Sequence, residues 1–167
     1  MNNPSPQKLQ KIEPSKTLFE SFFEFSPDAI VVTDENGRIT NVNSQVEKAF
    51  QYTRAELLGL PVETLIPERF RAAHPNHRES YSAHPSVRPM GTKLELYGRR
   101  KDGSEFPVDI MLSPVGTAGG PIFLSVIRDV SERKRSEDVL RQTEQQLRVS
   151  VQESERELRQ LIDAIPQ

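Results

Sequence analysis

The chain has 167 residues, enough for one domain with a sizeable core and some extensions. Its 22 Lys and Arg nearly cancel its 24 Asp and Glu, and the net charge of −2 offers no broad pull toward nucleic acid or an anionic membrane. There is no Cys, which removes disulfides, thiolate metal sites, cysteine nucleophiles and cysteinyl-flavin photochemistry together.

Residues 1–14 are polar and Pro-containing, and read as a disordered lead-in without the apolar segment of a signal peptide. A helix is expected from Pro14-Ser15, with Ser15 as N-cap. Leu18, Phe22 and Phe25 recur at i, i+4, i+7 and make one face apolar; Phe19 and Phe23 widen it. That face suits either packing on its own domain or a dimer contact, since exposed aromatics in a row are costly. Ser26-Pro27 ends the helix. Ala29 to Thr33 reads as a strand, Asp34-Glu35-Asn36-Gly37 as a turn, and Arg38 to Asn43 as the returning strand. The longest apolar run, Ala29-Ile30-Val31-Val32, is far short of the roughly 18 residues of a membrane helix. The expectation is a cytoplasmic chain, with spans elsewhere in a longer parent left open.

From Ser44 to about Phe70 the pattern is helical and short-ranged. Val46, Ala49 and Phe50 suit one helix, and Thr53-Arg54-Ala55-Glu56 is a capping box that opens another. A third stretch starts at Leu65-Ile66-Pro67 and carries Phe70, His74, His77, Tyr81 and His84, with Pro75 and Pro85 arguing against an unbroken helix. Lys93 to Gly98 returns to strand. Arg99 to Gly103 is a turn, and Phe106, Val108, Ile110 and Leu112 then alternate with polar or Pro positions at a period of two. Ala118 to Pro121 is a turn and Ile122 to Val130 the last strand. Five strands with helices inserted after the second predict an α+β domain, an antiparallel sheet covered on one face, over residues 26–130.

After Ser131 the composition changes. No Pro or Gly occurs from Glu132 to Ile165, and Leu140, Leu147, Val151, Leu158, Leu161 and Ile165 fit a heptad seam, with Glu137, Glu144 and Ser154 as weak positions. A signalling helix over 131–165 is expected, forming a parallel coiled coil; a lone solvated linker helix is the alternative. A strand running straight into such a helix suits a sensor or relay better than an enzyme. No nucleophile–base or paired-carboxylate spacing stands out. Three His-only metal ligation would need all three rings to converge plus a fourth ligand, so no metal site is expected.

In order and spacing, Ser26-Pro27-Asp28-Ala29-Ile30, Asp34 to Ile39, Asn43-Ser44, Gly98 to Gly103, Phe106-Pro107-Val108 and Ile127 to Lys134 resemble the PAS domain with its C-terminal PAC portion. The tail from Glu157 to Pro166 is similar to the opening of a second such domain. The resemblance implies a PAS fold and a signal-sensing, dimerising module of a larger bacterial protein, in the manner of a sensor histidine kinase. Its expected partners are a second copy and downstream domains in cis, with a small-molecule ligand as a further expectation and neither nucleic acid nor membrane. No kinase motif is present, so the piece itself is not expected to catalyse. Arg128, Asp129 and Ser131 are the expected relay, with Asp129 pairing Arg100 or Lys101 and Ser131 capping the outgoing helix. Leu18, Phe22, Phe25, Leu140, Leu147, Val151, Leu158 and Leu161 are the expected dimer residues.

More narrowly, Ile66-Pro67-Glu68 to His74, the Arg99 to Gly103 turn and Phe106-Pro107 resemble the haem-PAS oxygen-sensor kinases, which implies a haem b ligated by His74, counting from Ile66-Pro67, or by His77, matching Ser80-Tyr81. The pocket residues would be Leu94, Leu96, Val108, Ile110 and Leu112. That family's distal Arg falls on Leu94, beside Lys93. Without haem, the same apolar residues suit a small organic ligand or a self-filled core.

Overall fold

Alternating β-branched runs separated by Asp/Asn-Gly turns make hairpins, and hairpins of this kind build the sheet. A computed structural model describes residues 14–83, 86–90 and 95–164. Most of the expected lead-in lies outside the described residues, as do His84, Lys93, Leu94 and Ile165. The strands are β1 (Ala29–Thr33), β2 (Ile39–Val42), β3 (Arg88–Met90), β4 (Leu96–Arg99), β5 (Glu105–Thr117) and β6 (Gly120–Asp129). All pairings are antiparallel. The order is β2-β1-β6-β5, and both β4 and β3 pair with the far edge of β5. The sheet is therefore five positions wide, the last shared by two short segments.

The β1–β2 turn is closed by Asp34, whose Oδ1 accepts from the amides of Asn36 at 2.9 Å and Arg38 at 2.8 Å. Gly37 takes a φ of +76°, which side chains other than glycine tolerate poorly. The period of two in β5 holds: Phe106 and Val108 are buried and Glu105 and Asp109 exposed.

The short helices α2 (Ser44–Phe50) and α3 (Arg54–Leu57), and a 3-10 turn at Val62–Leu65, pack on that inner face. The core joins Val31, Ile39, Val42, Val46, Phe50, Leu57, Leu65, Phe106, Val108 and Ile127. Gly98 belongs to it by absence: a Cβ there would lie 2.9 Å from the rings of both Phe50 and Phe106. The capping box of Thr53 and Glu56 is formed as its spacing predicts.

The third helical stretch is not continuous. It divides into the 3-10 turn, α4 (Glu68–Arg71) and α5 (His74–Ala83), and Pro75 sits in the first turn of α5, where a missing amide hydrogen costs nothing. The first helix, α1, is Pro14–Glu24, so Ser15 lies within it rather than at its cap. Of the apolar residues on α1 and in the turn that follows it, Phe23 turns inward at 8% exposed, while Leu18, Phe19, Phe22 and Phe25 lie between 55% and 83%.

Asn43 fastens α1 to the sheet. Fully buried, it caps α2 by accepting from Val46 N, accepts from Ile30 N at 2.9 Å, and donates to the carbonyls of Phe23 and Asp28, both at 3.0 Å. Ser44 Oγ donates to Glu24 O, and Arg54 pairs with the Glu24 carboxylate at 2.7 Å.

The helix α6 (Ser131–Asp163) forms a second unit. Its 33 residues span about 50 Å at 1.5 Å per residue, and none is buried. Ser131 is the first helical residue; the N-cap position falls on Val130, which has no side-chain acceptor. The expected Ser131 cap is corrected accordingly.

Asn43→Ala removes the side-chain partner of four buried or part-buried backbone groups, of which Val46 N keeps Asn43 O, and removes a helix cap. It should lower the unfolding free energy in urea by about 3 kcal/mol. A loss below about 1 kcal/mol would show that water or neighbours replace these bonds.

Candidate functional site

Two neighbourhoods hold the residues singled out above: the end of β6, and α5 with the adjacent core face. The first is built by the β4–β5 turn. Asp102 Oδ1 accepts from Ser104 N at 2.8 Å and from Ser104 Oγ at 2.7 Å, and Gly103 adopts a φ of +88°. The turn is pinned to the end of α2 by Lys101 N donating to Phe50 O at 3.0 Å.

Arg100 is thereby aimed at three elements. Its Nε donates to Ala49 O at 3.1 Å, and its Nη2 lies 3.3 Å from Asp129 Oδ2 at the end of β6. Its guanidinium carbon stands 3.9 Å from the centroid of the Phe106 ring, which meets Phe50 edge-on at 5.1 Å. Of the two basic residues expected opposite Asp129, Arg100 makes the contact. Lys101 pairs with Glu56 instead and holds that carboxyl down to about 2, helped by the Thr53 amide and hydroxyl.

One residue earlier, Arg128 grips Asp28 with two hydrogen bonds of 2.9 and 2.8 Å. This joins the end of β6 to the start of β1. The Arg128 hydrogen bond holds the Asp28 carboxyl below its usual range, against burial, which pushes it up. The sequence reading placed Arg128 in the relay but missed Asp28. An ion pair 100 residues apart leaves no periodic signal.

On α5, His74 Nδ1 lies 2.8 Å from Glu63 Oε1 on the 3-10 turn, and Arg78 Nε lies 3.8 Å from the same oxygen. Burial raises the Glu63 pKa, but the His74 hydrogen bond and the charges of His74 and Arg78 outweigh it and leave the carboxyl below its ordinary value. Arg78 lies across Gly37, where any Cβ would meet its Nη1 at 1.9 Å. Tyr81, on the same helix face as His74, packs edge-on against Phe123 at 5.8 Å. His77 is exposed.

Of the expected pocket residues, the fold gathers Leu96, Val108 and Ile110 on the inner sheet face, with Leu96 directly opposite Val108. Leu112 is half-buried and lies opposite Arg88 of β3. Leu94 is outside the described residues. Among the described residues no three His, Cys, Asp or Glu side chains gather as a metal site.

Because the Asp28 pKa is depressed in the fold, its pairing contributes stability above the ordinary carboxylate value, and that contribution is lost as pH falls through the depressed value. Carbon-detected NMR should give a midpoint below the ordinary carboxylate value for Asp28, and Arg128→Met should raise it, since only burial, which pushes it up, then remains of these effects. An Asp28 midpoint unmoved by that substitution would contradict the pairing.

Over 132 residues the chain is 26% identical to the sensor protein FixL of Bradyrhizobium diazoefficiens, covering 79% of this chain and 26% of FixL. It is 31% identical over 112 residues to the oxygen sensor protein DosP of Escherichia coli, covering 67% of this chain and 14% of DosP. It is 25% identical over 140 residues to the cell-division control histidine kinase PdhS of Brucella ovis, covering 83% of this chain and 13% of PdhS. The chain thus spans about a quarter of these relatives' length or less. Among solved structures, the PAS domain of an HTR-like protein from Haloarcula marismortui superposes with a TM-score of 0.60 at 27% identity, covering 71% of this chain and 99% of that one. An RNA-binding light-oxygen-voltage receptor superposes with a TM-score of 0.64 at 21% identity, covering 87% of this chain and 41% of that one, a likeness of fold alone. The PAS domain family profile matches residues 27–132, well over half of the chain, and the chain belongs to the PAS domain family.

Proposed function

We propose that this chain is the signal-input and dimerisation module of a larger bacterial signalling protein, a cytoplasmic sensor histidine kinase, with its downstream domains in cis and a second copy of itself as partner. The observation that carries the reading is the Arg100 junction. The residue that ends β6 is tied to α2 and to the β4–β5 hairpin, and only Val130 separates it from the first residue of α6. A ligand or partner that moves α2 or the hairpin therefore changes what holds Asp129. Relatives named as a sensor protein and a histidine kinase support the same assignment.

Dimerisation draws on two exposed apolar faces. On α1 these are Leu18, Phe22 and Phe25; on α6, Leu140, Leu147, Val151, Leu158 and Leu161 are all exposed along one 4-3 spacing. The piece contributes sensing and assembly, and the parent supplies phosphoryl transfer. Among the described residues no helix is long and apolar enough to cross a membrane.

In a fusion to a histidine kinase, Asp129→Ala should change the output by up to about fivefold, the shift that losing an ion pair of about 1 kcal/mol allows, while the thermal melt stays cooperative. Unaltered output from a folded variant would remove the relay role.

A second reading, a haem-based gas or redox sensor, is favoured by one observation. A carboxylate holds Nδ1 of half-buried His74, the arrangement that orients a metal-ligating imidazole and leaves Nε2 for iron. The donor chemistry fits: His74 would hold the group, and Leu96, Ile110 and Leu112 are the apolar side chains expected for its pocket. Bound haem would supply a redox-active iron that takes diatomic gases. Exposed His77 is the weaker donor. An oxygen sensor among the relatives points the same way. Purified protein reconstituted with haem should then show a Soret band that is lost in His74→Ala and kept in His77→Ala. Colourless protein would leave the His74–Glu63 pair as a clasp of α5.

A further inference from the structure

The helix α6 carries more than an apolar seam. In heptad register its a positions are Glu137, Glu144, Val151 and Leu158, and its d positions Arg133, Leu140, Leu147, Ser154 and Leu161. The half that follows β6 in the chain therefore places glutamates at both of its a positions and only Leu140 between them. The distal half is apolar at every a and d position but Ser154 and is flanked by Ile162 at an e position; a shallow open groove on it is lined by Ser150, Val151, Ser154, Glu155 and Leu158.

We infer, on the dimer reading above, that α6 is divided into two zones: a distal zone from Leu147 to Leu161 that keeps two copies paired, and a proximal zone from Ser131 to Glu144 that pairs conditionally. At a positions of a parallel pair the same side chain of each copy meets its equivalent. Glu137 faces Glu137 and Glu144 faces Glu144, so closing the proximal zone takes carboxylates out of water and sets like charges together.

The basic side chains nearby do not relieve this. Arg133, at the d position one turn earlier, reaches Glu137 at 3.5 Å and is itself a charge that closing the seam takes out of water. Arg141, beside both glutamates, is paired with Asp138 at 2.9 Å. Arg148 stands one turn beyond Glu144, at an e position on the rim of the seam. These partners serve the glutamates best when the carboxylates point to water. The zone with the unfavourable seam is the one that receives β6, so the signal acts on a segment already near balance, while the distal zone preserves the dimer in both states.

The absence of native Cys permits a direct test on the full chain. Leu140→Cys and Leu161→Cys each place a single thiol at a d position, where the two copies come within disulfide distance. Covalent dimer formation in a glutathione buffer is measured for each, normalised to the reaction of each thiol with a small soluble disulfide. Leu161→Cys should cross-link at least about tenfold faster than Leu140→Cys, a difference in the usual range of coupling energies. Adding Glu137→Leu and Glu144→Leu should raise the Leu140→Cys rate to that of Leu161→Cys, whereas Glu153→Leu, at an outward c position, should change neither. Equal rates at the two positions in the parent chain, or no response to the glutamate substitutions, would overturn the two-zone division while leaving the dimer intact. No cross-linking at either position, with the chain sedimenting as a monomer, would overturn the dimer reading itself and the inference with it.

Discussion

The guanidinium of Arg100 is the point where the domain's parts meet. It caps the end of α2 through Ala49 O, lies flat on Phe106 of the core, and reaches Asp129 at the last position of β6. An ion pair as accessible as Arg100–Asp129 contributes little by itself, about 0–1 kcal/mol. Its importance is positional. The ring beneath and the carbonyl beside it hold the guanidinium in place, so the location of Asp129 reports the location of α2 and the hairpin. An interaction of that size also suits a switch, because a modest ligand-binding energy suffices to break it.

The helix α2 is held at both ends. Asn43 and Ser44 tie its start to the last carbonyls of α1, and Arg100 and Lys101 tie its end to the β4–β5 turn. Its seven residues stand between the exposed aromatic face of α1 and the end of β6. On the proposed function, the helix face available to a partner and the strand that leads to α6 share one small rigid element. Arg128, bound to Asp28, fixes the neighbouring position of β6 to the start of β1.

What was legible in the sequence was what is local. The Asp34–Gly37 turn, the Thr53–Glu56 capping box, the Asp102-Gly103 turn and the alternation from Glu105 to Leu112 are short-range patterns with short-range causes, and each forms as its residues predict. The strand β3 was missed because Arg88-Pro89-Met90 has no alternation of its own and is a strand only through pairing with Ile110 to Leu112. The helical stretch from Leu65, where Pro75 and Pro85 argued against an unbroken helix, divides at Ile66-Pro67 and at Ala72-Ala73, boundaries the sequence did not mark, and Phe23 alone of the α1 stripe turns inward. At the site, Asp129 facing Arg100 was legible because both lie in recognisable segments. Asp28 facing Arg128 and Glu63 facing His74 were not, since contacts made by tertiary folding leave no mark on spacing.

The most direct test of the account is a double-mutant cycle between Arg100→Met and Asp129→Asn, reading kinase output in a fusion and urea stability side by side. If Arg100 carries the position of α2 to Asp129, each single variant shifts the output and the double variant shifts it no further, with an interaction free energy of at least about 0.5 kcal/mol. Additive effects on output, from variants that remain folded, would mean that the two side chains act separately and that the junction is not the path of the signal.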